Sequence, residues 1–160
     1  MVLSDLQAKT ACFTGHRNIS TTNINTIHEN LVRHIENLIK QGYLYFGAGG
    51  ALGFDTLAEQ TILTLKKQYP LIKLILVLPC YNHTKLWKQH DVDVFNLIYN
   101  QADKVVFTGQ EYTENCMLNR NRHLVDGSSA CIYYLCKNNG GTAYTVNYAK
   151  NKGLQLFSCL

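Results

Sequence analysis

Phe46-Gly47-Ala48-Gly49-Gly50-Ala51-Leu52-Gly53-Phe54-Asp55 follows the apolar, aromatic run Tyr43-Leu44-Tyr45-Phe46. It precedes Thr56-Leu57-Ala58-Glu59-Gln60-Thr61-Ile62-Leu63, in which apolar residues recur at helical spacing. Four glycines between a strand and a helix let the backbone turn sharply and approach a ligand with no β-carbon in the way. The helix that follows offers unpaired N–H groups and a partial positive charge, so a phosphate or other anion is the natural guest. Read from Gly47, the glycines at 47, 49, 50 and 53 do not match the dinucleotide fingerprint. They follow the second strand, and no acidic residue suited to a ribose stands at the end of the next one, so ordinary NAD binding is not expected. No Gly-Lys-Ser/Thr ending makes it a P-loop. Asp55 either accepts hydrogen bonds from a ribose hydroxyl or caps the helix from its first turn.

Outward from this junction, strands and helices alternate. Lys9 to Thr14 reads as a strand ending at Gly15-His16-Arg17, and Asn25 to Lys40 as a helix with Ile27, Leu31, Ile35, Leu38 and Ile39 on one stripe, stopped by Gly42. Tyr43 to Phe46 is the second strand and Thr56 to Tyr69 the second helix. Ile72 to Leu78 is almost continuously apolar, as befits a central parallel strand covered on both faces. Thr84 to Asn100 is expected to be helical, with Leu86, Trp87, Val94, Phe95, Leu97 and Ile98 as candidate core residues. Lys104 to Phe107 is a strand, Met117 to Asp126 a helix and Ala130 to Leu135 a strand. Thr142 to Lys150 is a helix, and Leu154 to Phe157 an edge strand. The pattern predicts one domain, residues 1–160, with an α/β, Rossmann-like, doubly wound fold. Its mainly parallel sheet has five to six strands with helices on both faces. Ligands of such a fold bind beyond the carboxyl ends of the strands, where the strand order reverses.

The loops at those ends hold the candidate ligand-binding residues. Thr14, Gly15, His16 and Arg17 combine a hydroxyl, a turn, an imidazole and a guanidinium suited to bidentate contact with phosphate or carboxylate. Gly47, Gly49, Gly50, Ala51, Gly53 and Asp55 form the glycine loop. Gly140, Gly141 and Thr142 form a second glycine loop between a strand and a helix, a second set of backbone donors. Arg120 and Arg122 sit on a polar helical stretch whose spacing sends them in different directions, so only one is expected to turn toward the anion. The bland alternative for that stretch is a solvated face with an Arg122–Asp126 pair. Tyr81 and Tyr112 are candidate rings for stacking on a base.

A 46% hydrophobic and 16% charged composition is that of a globular protein, and the net charge of +4 suits an anionic ligand. Lys and Arg do not cluster as in a dedicated nucleic-acid surface, so nucleic acid is not an expected partner. No apolar run approaches the ~20 residues of a membrane span, and the N-terminus lacks the features of a secretion signal. The six cysteines show neither Cys-x-x-Cys spacing nor an accompanying His-x-x-x-His pair. No metal site is expected from them, and free thiols in a reducing, cytoplasmic compartment are. No cofactor is implied.

Phe13-Thr14-Gly15-His16-Arg17, Gly49 to Asp55, Arg120 to Asp126 and Gly140 to Thr145, in this order, resemble the SLOG superfamily, in its YpsA-like branch, from about Cys12 to Ala149. The resemblance implies a Rossmann-like fold, often in homo-oligomers, that binds nucleotides or nucleotide-derived molecules, among them ADP-ribose-like and cyclic nucleotide signals. A related enzyme branch, the LOG proteins, cleaves the N-glycosidic bond of nucleoside monophosphates using a glutamate in Pro-Gly-Gly-x-Gly-Thr-x-x-Glu. Here that position is Asn147, which cannot act as a general base or carry a full negative charge. DprA-type DNA-processing proteins contain a related domain. The expectation is therefore a non-catalytic nucleotide-type binder, acting as sensor or sponge. A nucleoside-monophosphate glycosidase and a DNA-associated module are the alternatives.

Overall fold

A computed structural model describes residues 3–160 and has six parallel strands in the order β4-β3-β2-β1-β5-β6. The strands are β1 (Thr10–Gly15), β2 (Tyr45–Ala48), β3 (Lys73–Leu78), β4 (Lys104–Phe107), β5 (Ala130–Tyr134) and β6 (Gln155–Ser158). After a four-residue turn of helix, α1 (Asp5–Ala8), the helices are α2 (Ile24–Lys40), α3 (Phe54–Leu65), α4 (Gln89–Gln101), α5 (Cys116–Asp126) and α6 (Gly140–Asn151). The α/β, Rossmann-like expectation holds, and the sheet is parallel throughout.

Alternate residues of each strand feed two cores. Phe13, Phe46, Leu74, Leu76 and Ile132 pack with Ile27, Leu31, Ile35 and Leu38 of α2 and Phe54, Ala58 and Ile62 of α3. On the other face Cys12, Val77 and Cys131 pack with Leu124 and Val125 of α5 and Ala149 of α6. Each fully buried Leu, Ile or Phe contributes roughly 1.5–3 kcal/mol of transfer free energy, so these stripes set which helix lies on which face.

The chain winds outward from β1 through β2, β3 and β4. It then returns to place β5 against the other side of β1. The order thus reverses between β1 and β5, and their carboxyl ends open the crevice.

Several boundaries differ from expectation for packing reasons. Gly47 and Ala48 belong to β2 and not to a loop, because Gly47 pairs with both Cys12 and Ile75. Gly140 and Gly141 form the first turn of α6 and are not a preceding loop. α4 starts only at Gln89: residues 82–87 form turns, closed by Lys85 N–H to the Asn82 carbonyl (3.1 Å) and Trp87 N–H to the Thr84 carbonyl (3.0 Å). Of the core residues expected there, Ile98 is buried and Val94 and Phe95 partly so. Leu86 and Leu97 instead point outward, 94% and 64% exposed. α3 ends at Leu65, short of Tyr69, whose hydroxyl donates to Glu36 of α2 at 2.5 Å.

Candidate functional site

At the carboxyl ends of β1 and β5 lies a cleft of about 440 Å³. Thr14 to Arg17 form one wall and Lys137 with Asn139 to Thr142 the other, while Ala51, Asp55, Arg120 and Asn121 line its floor. Ten of the fifteen expected residues meet here: Thr14, Gly15, His16, Arg17, Ala51, Asp55, Arg120, Gly140, Gly141 and Thr142. Gly47, Gly49, Gly50, Gly53 and Arg122 do not line it. Arg122 is exposed on the outer side of α5, where its Nε donates to the Tyr144 hydroxyl at 2.8 Å. The divergence expected of Arg120 and Arg122 is thus seen.

The glycine loop is held in place by the protein's own side chains. Its Gly50 N–H donates to the Glu59 carboxylate at 2.9 Å, and its Ala51 N–H to the Asp55 carboxylate at 3.2 Å. The Arg120 guanidinium donates to the Gly49 carbonyl, and His83 Nε2 donates to the Gly50 carbonyl at 3.0 Å. Two donors that a phosphate could have used, the Gly50 and Ala51 N–H groups, are thus occupied by the protein's own carboxylates. The glycines are required by close approach. A β-carbon at Gly49 would lie 2.6 Å from the guanidinium carbon of Arg120, and one at Gly15 would run into the Phe54 ring. Gly53, at φ 78°, packs on the backbone of Arg17, and the neighbouring Phe54 N–H donates to the His16 carbonyl at 3.1 Å. The glycine loop thereby positions the Gly15–Arg17 wall of the cleft.

Beneath the loop, Asp55, Glu59 and Arg120 are all buried. Burial, reinforced by the Asp55 charge, raises the Glu59 pKa well above the usual carboxylate range, against the opposing Gly50 N–H and Arg120. Burial raises Asp55 too, opposed chiefly by Arg120 and by the Ala51 and Gly49 N–H groups. Glu59 was not among the expected residues. Its signal was available, since it follows Asp55 by four positions and so shares its helical face.

The second glycine pair is the open one. Asn139 provides no side-chain cap, and the N–H groups of Gly140, Gly141 and Thr142 have no acceptor among the described residues. A β-carbon at Gly140 or Gly141 would meet nothing within 4 Å. The hydroxyl of Thr145 ties this turn to α5 by accepting from Asn121 Nδ2 at 2.9 Å, and donates to the Gly141 carbonyl at 2.8 Å. Across the cleft, the exposed Arg17 side chain faces Lys137. His16 Nε2 accepts the Cys136 N–H at 2.9 Å, joining the two walls; burial, and then Lys137, lower its pKa.

Asn147 does not line the cleft. It is exposed and lines an adjoining hollow with Tyr144 and Lys150, which shares Asn139 and Gly140 with the cleft. Tyr81 also stays out of the cleft, its ring 4.3 Å from that of Phe107. A mostly apolar hollow of about 230 Å³ beside α5, lined in part by Tyr45, Ile75, Val106 and Leu124, sits on the sheet face, away from the strand ends. No helix among the described residues is long and apolar enough to cross a membrane.

A model of the YspA SLOG family matches residues 12–156. The SPbeta prophage-derived protein YoqJ of Bacillus subtilis is 30% identical over 137 residues, which cover 78% of this chain and 80% of YoqJ. DNA processing protein A (DprA) from Streptococcus pneumoniae is similar in fold, with a TM-score of 0.70 at 19% identity over 96% of this chain and 50% of that one. DprA from Helicobacter pylori, described for its single-stranded DNA binding mode, has a TM-score of 0.68 at 18% identity over 96% of this chain and 66% of its own. This chain therefore spans half to two-thirds of those solved structures, and the likeness to them is one of fold.

Proposed function

This chain belongs to the YspA SLOG family, and from that premise we propose that it binds a nucleotide or nucleotide-derived small molecule in the β1/β5 cleft without cleaving it. One observation carries the reading: the first-turn N–H groups of α6 have no acceptor among the described residues and open on a cleft that also holds Arg17 and Lys137. A helix N-terminus and two cations around one crevice favour a phosphoryl group strongly over a neutral guest. Thr14, Asn121 and Thr142 add polar side chains for a sugar or phosphate edge.

The absence of cleavage rests on where the carboxylates are. Asn147 stands at the position of the LOG glutamate, where an amide can neither act as a general base nor carry a full negative charge, and it lines an adjoining hollow that shares Asn139 and Gly140 with the cleft. Asp55 lines the cleft but is held by the Ala51 N–H. As a glycosidase, the protein would have to recruit this buried carboxylate.

The test is a thermal-shift screen of the intact protein with nucleoside monophosphates, NAD, ADP-ribose and cyclic nucleotides, with base release measured in the same samples. A ligand at about 100 times its dissociation constant adds ~2.7 kcal/mol of stability, a shift of several degrees for a domain of this size. Stabilisation without base release is the expected result. Base release would make it a glycosidase. No shift with any nucleotide, together with salt-sensitive binding to single-stranded DNA, would replace the proposal with a DNA-associated role.

A further inference from the structure

Beside the β1/β5 cleft, at the ends of β3 and β4, lies a second hollow of about 410 Å³. Arg17 and Met117 line both spaces. Building on the nucleotide-binding reading, we propose that the second hollow is a subsite for an aromatic heterocycle and that the ligand is a two-unit molecule, two nucleosides joined through an internal phosphate.

The lining of the second hollow differs in kind from that of the first. Leu52, Trp87, Tyr112 and Met117 present apolar and aromatic surface, with Asn82 and Lys85 as polar rim. Its floor is held firmly. The buried His83 is anchored on the Gly50 carbonyl, and its ring packs edge-on against Trp87 (centroids 5.3 Å, 80°) and Phe95 (5.0 Å, 80°). Trp87 in turn packs on Phe95 at 6.0 Å and 86°, so the indole is set in place before any ligand arrives. Tyr112 stands 61% exposed opposite, an aromatic surface with solvent as its main neighbour. Flat rings of this kind bind any base by its π-face.

Arg17 gives the connection its direction. A guanidinium on the wall between two spaces contacts a phosphate that has substituents on both sides, whereas a terminal phosphate would leave one space unfilled. Each space falls within the ~300–1,000 Å³ range of small-molecule sites, so the pair suits a ligand larger than one nucleotide.

The test compares AMP with two double-base probes, linear diadenylate and NAD, by calorimetry on the wild-type protein and on Tyr112→Ala and Trp87→Ala. Trp87 is the single tryptophan of the chain, so its fluorescence reports the second hollow directly. At least one double-base probe is expected to bind about tenfold or more tightly than AMP, the scale of one stacked base. It should change Trp87 emission where AMP does not, and Tyr112→Ala should bring its affinity down toward that of AMP without altering AMP binding. Because Tyr112 is exposed, this variant remains informative even where Trp87→Ala fails to fold. AMP binding with no gain for either double-base probe would overturn the subsite while leaving the nucleotide reading intact. Failure of all three probes to bind would overturn both.

Discussion

The Arg120 guanidinium donates to the carbonyl of Gly49, 71 residues earlier in the chain, while the other end of the same peptide group, the Gly50 N–H, donates to Glu59. The glycine loop is therefore clamped from two elements at once, α5 and α3. The clamp shapes the cleft by fixing Gly53 under Arg17. Its charges are buried, which makes it both specific and costly to disturb.

Arg120→Met leaves the Gly49 carbonyl without its donor and removes the cation beside two buried carboxylates. The expected loss is on the order of 3 kcal/mol in urea denaturation. Adding Glu59→Gln and Asp55→Asn to the same chain should return part of it, since the uncompensated charges go too. A triple variant no more stable than Arg120→Met would show that the hydrogen bond, and not the charge, is what matters.

Glu59→Gln should be tolerated, and its relative stability should improve as the pH rises. Glu59 has a raised folded pKa, so the native protein holds a proton that the unfolded chain gives up near 4.5. Stability associated with this group is present below that value and is lost as the pH climbs through the folded pKa. Glutamine has no such proton to lose. Denaturation curves of the two proteins between pH 5 and roughly 8 should diverge in the variant's favour.

Gly53→Ala tests the loop-on-loop contact. The φ of 78° alone costs a β-carbon-bearing residue about 1–3 kcal/mol. The added carbon also overlaps the Arg17 backbone. The variant should lose stability and also ligand affinity, because Arg17 is displaced. Loss of stability with unaltered affinity would uncouple the glycine loop from the cleft.

His16 gives the cleft an acid limit. Its pKa lies below 6.5 in the fold because of burial and Lys137, so the native state binds its proton less readily than the unfolded chain. The corresponding stability is complete above 6.5 and declines as the pH falls below it. Protonated Nε2 can no longer accept the Cys136 N–H, which should free the β5–α6 segment. The protection factor of the Cys136 amide in hydrogen exchange should fall on acidification in the wild type, and in His16→Ala it should be low at both neutral and acid pH.

Arg17→Ala should weaken binding of a phosphate-bearing ligand by about 2 kcal/mol, as for loss of one charge-assisted contact. The side chain is exposed, so stability should stay within about 0.5 kcal/mol of wild type. Calorimetry and a melting curve on the same sample separate the two effects.

Most of the fold was legible in the chain because burial repeats at fixed periods. Ile27, Leu31, Ile35 and Leu38 mark the inner face of α2 at helical spacing, and Leu74 and Leu76 share one face of β3. Where α4 begins was not legible. The apolar residues at 86 and 87 look helical, but His83 takes the Gly50 carbonyl and Trp87 packs on Phe95, so long-range contacts override the local pattern. Leu86 is left in solvent as a result.

The candidate site divides the same way. Residue type and order alone pointed to Gly15–Arg17, Asp55, Arg120 and Gly140–Thr142, because strand ends in an α/β fold must face one edge. Which amides remained unpaired was decided only in three dimensions. Glu59 and Asp55 reach back from α3 to take the Gly50 and Ala51 N–H groups of the first glycine loop, whereas among the described residues no acceptor takes the Gly140, Gly141 or Thr142 N–H at the start of α6. Local spacing determines which face a residue presents. Hydrogen bonds saturate, and which donor meets its acceptor first depends on helices brought together from distant parts of the chain.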